Sequence, residues 1–551
     1  MLKVVITINV LLVSIDAKNI HKPLAVWCIK SYCENYSPMR EIKVLENNIN
    51  DNIDEIIGKV YRGAPDIVGF SCYIWNIELI CKIAKTLKKL LPECIIVFGG
   101  PEVTFENNMN DYPFADYIIQ GPGEAAFYDL LNKIEDGIEP LGKIISGTGA
   151  AFESLPSPYT EKYFDSFKSG KMISLKNQLI YYESSRGCPF HCEYCLSSVT
   201  SGVEYLPVKR VKDDLYKIIA QGAKCIKFID RTFNADKNRA NEILLFIQSL
   251  DTECTFHFEV AADLFNDNLL AVIASMPVCR VQFETGIQSV NEKTLDAVSR
   301  RTNTKKALDN IRRLTEMKNC HIHVDLIAGL PYDSLLTFSQ AVNLCLDANP
   351  HMLQIGFLKI LKGSLIRKKS NSYGCSFADN PPYEVLNSNC MSYNDILVLK
   401  GLAKVIDKFY NSGMYKNTVH FAVENIFKSA YEFFIRLADF CEYKDNYKSS
   451  LKNSYTILLN FLLQYCDRKD AEHYIKLDCL TFDAKGMLPD GIQQFRDKTA
   501  EAKLKRKKEF GKCSIRVEYF EMDNKKRLFI YDCKDPVSKE FKVVELYEKI
   551  D

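Results

Sequence analysis

The sequence has almost no net charge: 71 Lys and Arg stand against 70 Asp and Glu, a formal balance of +1 over 551 residues. Such a chain has no global pull toward nucleic acid or an anionic membrane, so charge names no partner. A long apolar run is also missing. The stretch Val4 to Ile15 is too short to span a bilayer and ends at Asp16 without a small-residue cleavage signature. It reads as a buried first strand, and no membrane is expected as a partner. There are no internal repeats and no long low-complexity tract. The 20 cysteines lack the even spacing and secretory signal of a disulfide framework, which points to a reduced, cytoplasmic compartment. Cys28, Cys225 and Cys345 fall within apolar patterns and are expected in the core.

What is present is enough hydrophobic residue, 47%, to build two or three domains. Up to about residue 140, short apolar strands alternate with amphipathic helices. The strands read as Lys3 to Ile15, Ile42 to Leu45, Asp66 to Cys72, Cys94 to Phe98 and Tyr117 to Ile119, with a helix over Ile77 to Leu91. This predicts a doubly wound, Rossmann-like parallel sheet over residues 1–150. In such sheets ligands bind beyond the carboxyl ends of the strands. Two of those ends are glycine-rich, Gly99-Gly100-Pro101-Glu102 and Gly121-Pro122-Gly123-Glu124.

Leu155 to Tyr159 reads as part of a linker over 151–175. A second α/β run, expected over 176–380, has strands at Leu179 to Ser184, Cys225 to Asp230, Thr255 to Ala261, Arg280 to Gly286, His321 to Leu330 and Met352 to Leu361. Six strands separated by helices predict a partial (β/α)6 barrel. Polar residues recur at even spacing in three of them: His257 and Glu259; Gln282, Glu284 and Gln288; His323 and Asp325. Each set shares one face of its strand, so that face is expected to line a wet or ligand-filled lumen. Residues 381–551 read as mainly helical, with helices over Ile396 to Tyr410, His420 to Tyr443 and Tyr455 to Cys466. A basic cluster, Lys503, Lys505, Arg506, Lys507, Lys508 and Lys512, precedes a small sheet over Ser514 to Met522 and Arg527 to Cys533.

Directly after the first strand of the second run comes Arg186-Gly187-Cys188-Pro189-Phe190-His191-Cys192-Glu193-Tyr194-Cys195. Three thiols on one loop, spaced C-x3-C-x2-C, suit an iron-sulfur cluster that leaves one iron open to a substrate. A zinc site with His191 or a distant side chain as fourth ligand is the alternative, since three Cys and one His is an ordinary zinc set.

The motif resembles the hallmark of the radical S-adenosylmethionine superfamily, C-x3-C-x-aromatic-C, with Tyr194 at the aromatic position. The resemblance covers about residues 175 to 365. It implies a 4Fe-4S cluster on Cys188, Cys192 and Cys195 whose open iron binds S-adenosylmethionine. It further implies cosubstrate contacts from Asp230, Glu259 and Glu284, pairing of Arg300 with the methionine carboxylate, and adenine packing on Gly329 and Leu330. The N-terminal domain is similar to the cobalamin-binding domain of one large subclass, the class B methyltransferase type, through Gly69-Phe70-Ser71 and the two glycine-rich loops. That similarity implies cobalamin contacts from Ser71, Gly99, Gly100, Pro101, Gly121 and Glu124. The chain departs from the Asp-x-His-x-x-Gly motif of enzymes that ligate cobalt through histidine, because Asp16 and His21 are spaced differently and no glycine follows. Cobalamin held without a histidine on cobalt, or a domain that has lost cobalamin, is what the departure implies. Residues 385 to 551 are similar to an uncharacterised C-terminal extension.

The function implied is a cobalamin-dependent radical methyltransferase using a 4Fe-4S cluster, S-adenosylmethionine and cobalamin, with an electron donor such as flavodoxin or ferredoxin. Alternatives within the same chemistry are rearrangement, cyclisation or methylthiolation, the last on tRNA. A cluster- and cobalamin-binding sensor without turnover is the non-enzymatic alternative. A small molecule, a peptide or RNA fits as substrate, and the basic cluster from Lys503 is the feature that would favour RNA.

Overall fold

A computed structural model describes residues 8–106, 109–147, 149–167, 175–199, 202–443, 450–484, 488–510 and 512–546. The chain divides into two compact units. The first comprises Met1–Val272, Val298–Arg301 and Lys359–Val385, and the second Ile273–Ala297, Thr302–Leu358 and Leu386–Asp551.

The first unit opens on a parallel sheet of β1 (Val10–Asp16), β2 (Ile42–Asn48), β3 (Ile67–Ser71), β4 (Ile95–Gly99), β5 (Tyr117–Gln120) and β6 (Ile144–Ser146), in the order β2-β1-β3-β4-β5-β6. β1 starts at Val10 rather than Lys3, and residues 3–7 lie outside the described residues. The start is set at Asn9, whose amide donates to Asp66 at 2.7 Å and whose side chain donates to the Gly63 carbonyl at 2.7 Å. The strands are nearly continuous apolar runs because helices cover the sheet on both faces. The helix Ile77–Leu90 shows how: Ile77, Ile80, Ile83, Ala84 and Leu87 recur at helical spacing and are the residues it buries. The sheet order reverses between β1 and β3, which opens a crevice beyond their carboxyl ends.

The segment read as a linker is packed rather than loose where it is described. Leu155 and Tyr159 are buried, the Tyr159 hydroxyl donates to the Tyr181 carbonyl at 2.6 Å, and Tyr163 sits edge-on to Trp27 at 5.2 Å. Residues 168–174 of that segment lie outside the described residues.

All six strands expected for the second α/β run are present. In the first unit β7 (Leu179–Tyr182) is followed by a short antiparallel hairpin, β8 (Ser185–Gly187) with β9 (Val203–Tyr205), then by β10 (Cys225–Phe228) and β11 (Thr255–Val260). β10 pairs in parallel with both β7 and β11. In the second unit β13 (His321–Ala328) lies parallel between β12 (Val281–Gln288) and β14 (Met352–Phe357). β12 alternates strictly, its odd positions buried and Gln282, Glu284 and Gln288 half-buried on the other face. The period-2 polar pattern is therefore real, and β11 shows it too at His257 and Glu259.

Two further short strands, β15 (Ser376–Phe377) and β16 (Val385–Asn387), precede the C-terminal region. There the helix read over His420 to Tyr443 is two helices, Lys416–Asn425 and Ala430–Tyr443. The break coincides with local polar bonding: Asn425 donates back to the Phe421 carbonyl at 3.0 Å, and Ser429 accepts from the Glu432 amide at 3.2 Å. A helix over Arg468–Phe482 was not foreseen. The antiparallel sheet of β17 (Ile515–Phe520), β18 (Lys525–Lys534) and β19 (Phe541–Leu546) has one strand more than the sequence reading gave. Mixed α/β architecture with a helical C-terminal region is thus the observed fold class.

Candidate functional site

The cysteine loop leaves β8 at Gly187 and returns through Val203, so the β8–β9 hairpin closes its base. Gly187 has φ +99, and a Cβ there would lie 2.3 Å from the Gly202 carbonyl oxygen, which explains glycine immediately before Cys188. Cys188 and Cys192 are buried and Cys195 half-buried. Burial pushes the Cys188 thiol above its ordinary value; the Phe190 amide and the Thr232 hydroxyl, 3.6 Å from its sulfur, act against this, and the neighbouring Cys195 and Cys192 reinforce it. Tyr194 and Arg300 pack together here, the guanidinium 3.2 Å from the Tyr194 oxygen and 3.7 Å from the Cys192 sulfur. Burial opposes the Arg300 charge, but the Tyr194 oxygen and the Cys192 sulfur outweigh it and hold the guanidinium above its ordinary value. Glu193 anchors the far side of the loop: Lys369 donates to its carboxylate at 2.6 Å, and its amide donates to the Val298 carbonyl at 2.9 Å.

Three thiols on one loop, two buried and one half-buried, fit an iron-sulfur cluster that leaves one iron open. Among the described residues the ligand atoms of Glu284, His323 and Asp325 gather within 4.8 Å of one another.

The other residues expected to contact the cosubstrate fall in both units. Asp230 is buried, accepting from the Ser184 amide at 2.7 Å and hydroxyl at 2.5 Å, so it fixes the turn that leads into the cysteine loop. Burial raises its carboxyl above the usual range, and these bonds counter that. Glu259 faces Lys227 at 3.7 Å. In the second unit the Glu284 carboxylate meets His323 and Asp325, with His323 Nε2 3.1 Å from Asp325 Oδ1. Alternation places His323 and Asp325 on one face of their strand, but carries no sign that they meet Glu284 on the neighbouring one. Gly329 and Leu330 are buried there, with Gly329 at φ +88.

At the crevice of the N-terminal sheet, the Ser71 hydroxyl at the end of β3 is buried with no hydrogen-bond partner among the described residues. Tyr73 and Trp75 stack at 4.3 Å beside it, and the Trp75 indole donates to the Ile15 carbonyl at 3.3 Å. Asp16, at the end of β1, has its carboxyl pushed up to about 7 by burial. The Gly99-Gly100-Pro101 loop lies against this corner: Gly100 has φ +120, and a Cβ there would sit 2.5 Å from the Cys72 carbonyl oxygen. An orphaned hydroxyl, a flat aromatic pair and close backbone packing at a switch point suit a large planar cofactor. His21 leaves this corner, forming a bridge to Leu179 of β7 with its ring edge-on to Tyr181 at 5.7 Å. The loop carboxylates engage protein partners. Glu102 accepts from the Tyr383 hydroxyl and lies 3.4 Å from Lys362, and Glu124 accepts from Arg186 at 2.9 Å, while Gly121 is exposed.

A parallel sheet with a ligand crevice, followed by a parallel α/β run with three thiols at the end of its first strand, defines a two-cofactor class of protein. The family model described as B12 binding domain matches residues 10–131, and that described as Radical SAM superfamily matches residues 182–345. The chain carries both domains. A third model, a protein of unknown function (DUF4080), matches residues 371–529.

Curated relatives include the cobalamin-dependent radical SAM methyltransferase TokK of Streptomyces tokunonensis, 26% identical over 344 residues, covering 56% of this chain and 49% of that protein. The 2-(S-pantetheinyl)-carbapenam-3-carboxylate methyltransferase of Streptantibioticus cattleyicolor is 26% identical over 330 residues, covering 52% of this chain and 46% of that one. This chain thus spans about half the length of each. Among solved structures, OxsB with aqua-cobalamin and S-adenosylmethionine bound superposes with a TM-score of 0.58 at 14% identity, over 86% of this chain and 79% of OxsB. TsrM from Kitasatospora setae with cobalamin and a [4Fe-4S] cluster bound gives 0.54 at 15% identity, over 71% of this chain and 81% of TsrM. At these identities the structures establish the shared fold. Among the described residues no helix is long and apolar enough to cross a membrane.

Proposed function

We propose that the protein is a cobalamin-dependent radical S-adenosylmethionine methyltransferase. The observation that carries this reading is the cysteine loop, pinned by the β8–β9 hairpin, in a chain that also holds a B12 binding domain whose strand order reverses between β1 and β3. Cys188, Cys192 and Cys195 would hold a 4Fe-4S cluster, and Arg300, already beside Cys192, would pair the methionine carboxylate with its planar fork. When bound, the cluster with S-adenosylmethionine supplies a carbon-centred radical, and cobalamin supplies the methyl group.

This chain's residues bind, orient and exclude water. Asp230 holds the approach to the cysteine loop, while Tyr194 braces Arg300. Glu259 of the first unit and, separately, Glu284, Gly329 and Leu330 of the second are the further residues proposed for cosubstrate contact. Ser71, Gly99, Gly100, Pro101 and Gly121 would border the cobalamin, with His21 engaged at β7 instead of on cobalt. A small organic molecule is the proposed substrate, as the name of the 2-(S-pantetheinyl)-carbapenam-3-carboxylate methyltransferase indicates for that protein. A flavodoxin or ferredoxin is the proposed electron donor, and the cytoplasm the proposed location.

Anaerobic reconstitution tests the reading. Wild type should take up about four irons per chain, bind hydroxocobalamin and release 5'-deoxyadenosine from S-adenosylmethionine on reduction. Cys188→Ala, Cys192→Ala and Cys195→Ala should each lose the iron. Stoichiometric zinc without iron-sulfur absorbance would refute it.

A further inference from the structure

Glu124 opens the helix Glu124–Glu135 directly after the Gly121-Pro122-Gly123 turn at the end of β5. The residue is 7% exposed, and its carboxylate meets Arg186, two residues before Cys188. Arg186 forks onto Glu183, with Nε 3.0 Å and Nη2 2.8 Å from its two carboxylate oxygens, and the same Nη2 reaches Glu124 Oε1 at 2.9 Å. The guanidinium lies 4.7 Å over the Phe152 ring, and Phe152 is held by its amide donating to Glu204 at 3.0 Å. Glu204 is the residue paired with Arg186 across the β8–β9 hairpin.

One cation therefore joins the β5 loop to the strand that starts the cysteine loop. The next residue, Gly187, passes so close to the Gly202 backbone that a Cβ there would lie 2.3 Å from its carbonyl oxygen. A half-buried guanidinium between two carboxylates is an ion pair with directed, charge-assisted hydrogen bonds, and it transmits position better than an exposed pair would. A lysine, with a single point charge, cannot make the same fork.

We infer that Glu124 and Arg186 are a positioning pair that couples the cobalamin site to the cluster site, so that filling either one raises the affinity of the other. The inference rests on the functional reading above. Coupling between two sites is reciprocal and is commonly about 5- to 150-fold in affinity.

The test titrates hydroxocobalamin into full-length protein, under anaerobic conditions, with and without the reconstituted cluster. Wild type should bind about fivefold more tightly or better when the cluster is present, and Glu124→Gln should reduce that ratio to within about twofold while keeping its iron. Arg186→Lys should behave as Glu124→Gln does if it retains the cluster; if it loses iron, Glu124→Gln alone decides. Equal affinities in the two forms of wild type, or an undiminished ratio in Glu124→Gln, would overturn the inference. Failure of wild type to bind hydroxocobalamin in either form would instead overturn the functional reading.

Discussion

Asp16 stands at the end of β1, on the edge of the proposed cobalamin crevice, and its folded-state carboxyl titrates near neutrality. Burial is the main cause of its rise to about 7; Ser14, whose hydroxyl donates to it at 3.1 Å, works against this, Glu46 adds to it and Lys22 opposes it. In the unfolded chain an aspartate titrates near 3.9. Between about pH 4 and 7 the folded state therefore binds more protons than the unfolded state, and stability must fall as pH rises through that window. The slope approaches about 1.4 kcal/mol per pH unit, so ionising Asp16 costs at most about 4 kcal/mol once pH exceeds 7. Asp16→Asn keeps the shape and removes the charge. Its advantage over wild type should be absent near pH 4 and reach about 1 to 4 kcal/mol above pH 7. Denaturant midpoints of both proteins across this range measure the difference. An advantage of equal size at all pH values, or one that grows toward acid, would refute the reasoning.

Gly187→Ala places a Cβ 2.3 Å from the Gly202 carbonyl oxygen at φ +99; the left-handed backbone alone costs about 1–2 kcal/mol, so the variant should fold but retain less iron, read by iron content against circular dichroism. Arg300→Ala should weaken S-adenosylmethionine binding by about 10- to 100-fold, the worth of a charged hydrogen bond, with the cluster intact, and Arg300→Lys should restore part of it; unchanged affinity in both would show that the arginine serves another group. Tyr383→Phe removes the hydroxyl donor to the buried Glu102 carboxylate and should cost about 1–3 kcal/mol in denaturant stability. Combining it with Glu102→Gln should cost less than the sum of the two single changes, because both remove the same hydrogen bond.

Apart from the three-residue β6, the strands of both α/β runs were legible because each is an apolar or alternating run long enough to show its period. β8 and β9 were not. Ser185–Gly187 and Val203–Tyr205 are three residues each, too short for any period, and they pair only because the loop between them brings them together. The C-terminal helices were placed approximately, since periodicity locates a helix but not a break like the one before Ala430. That break is marked by the side chains of Asn425 and Ser429, which bond to nearby backbone.

The cysteine loop could be read in full because its chemistry is local: three thiols and an aromatic within eight residues. The carboxylates are a different case, because an acid beside a glycine turn looks the same in sequence whether it faces a ligand or a distant side chain. Glu124 finds Arg186 62 positions away, and Glu102 finds Tyr383 281 positions away. Burying either acid is costly unless a partner arrives to accept the charge, so those distant partners are part of what makes the two loops stable. The glycines then determine how closely backbones approach at the strand ends, while the acids determine which segments are tied to them. A loop anchored through Arg186 to the start of the cysteine loop cannot shift to admit a large cofactor without moving Cys188, and for that reason the geometry of one site bears on the other.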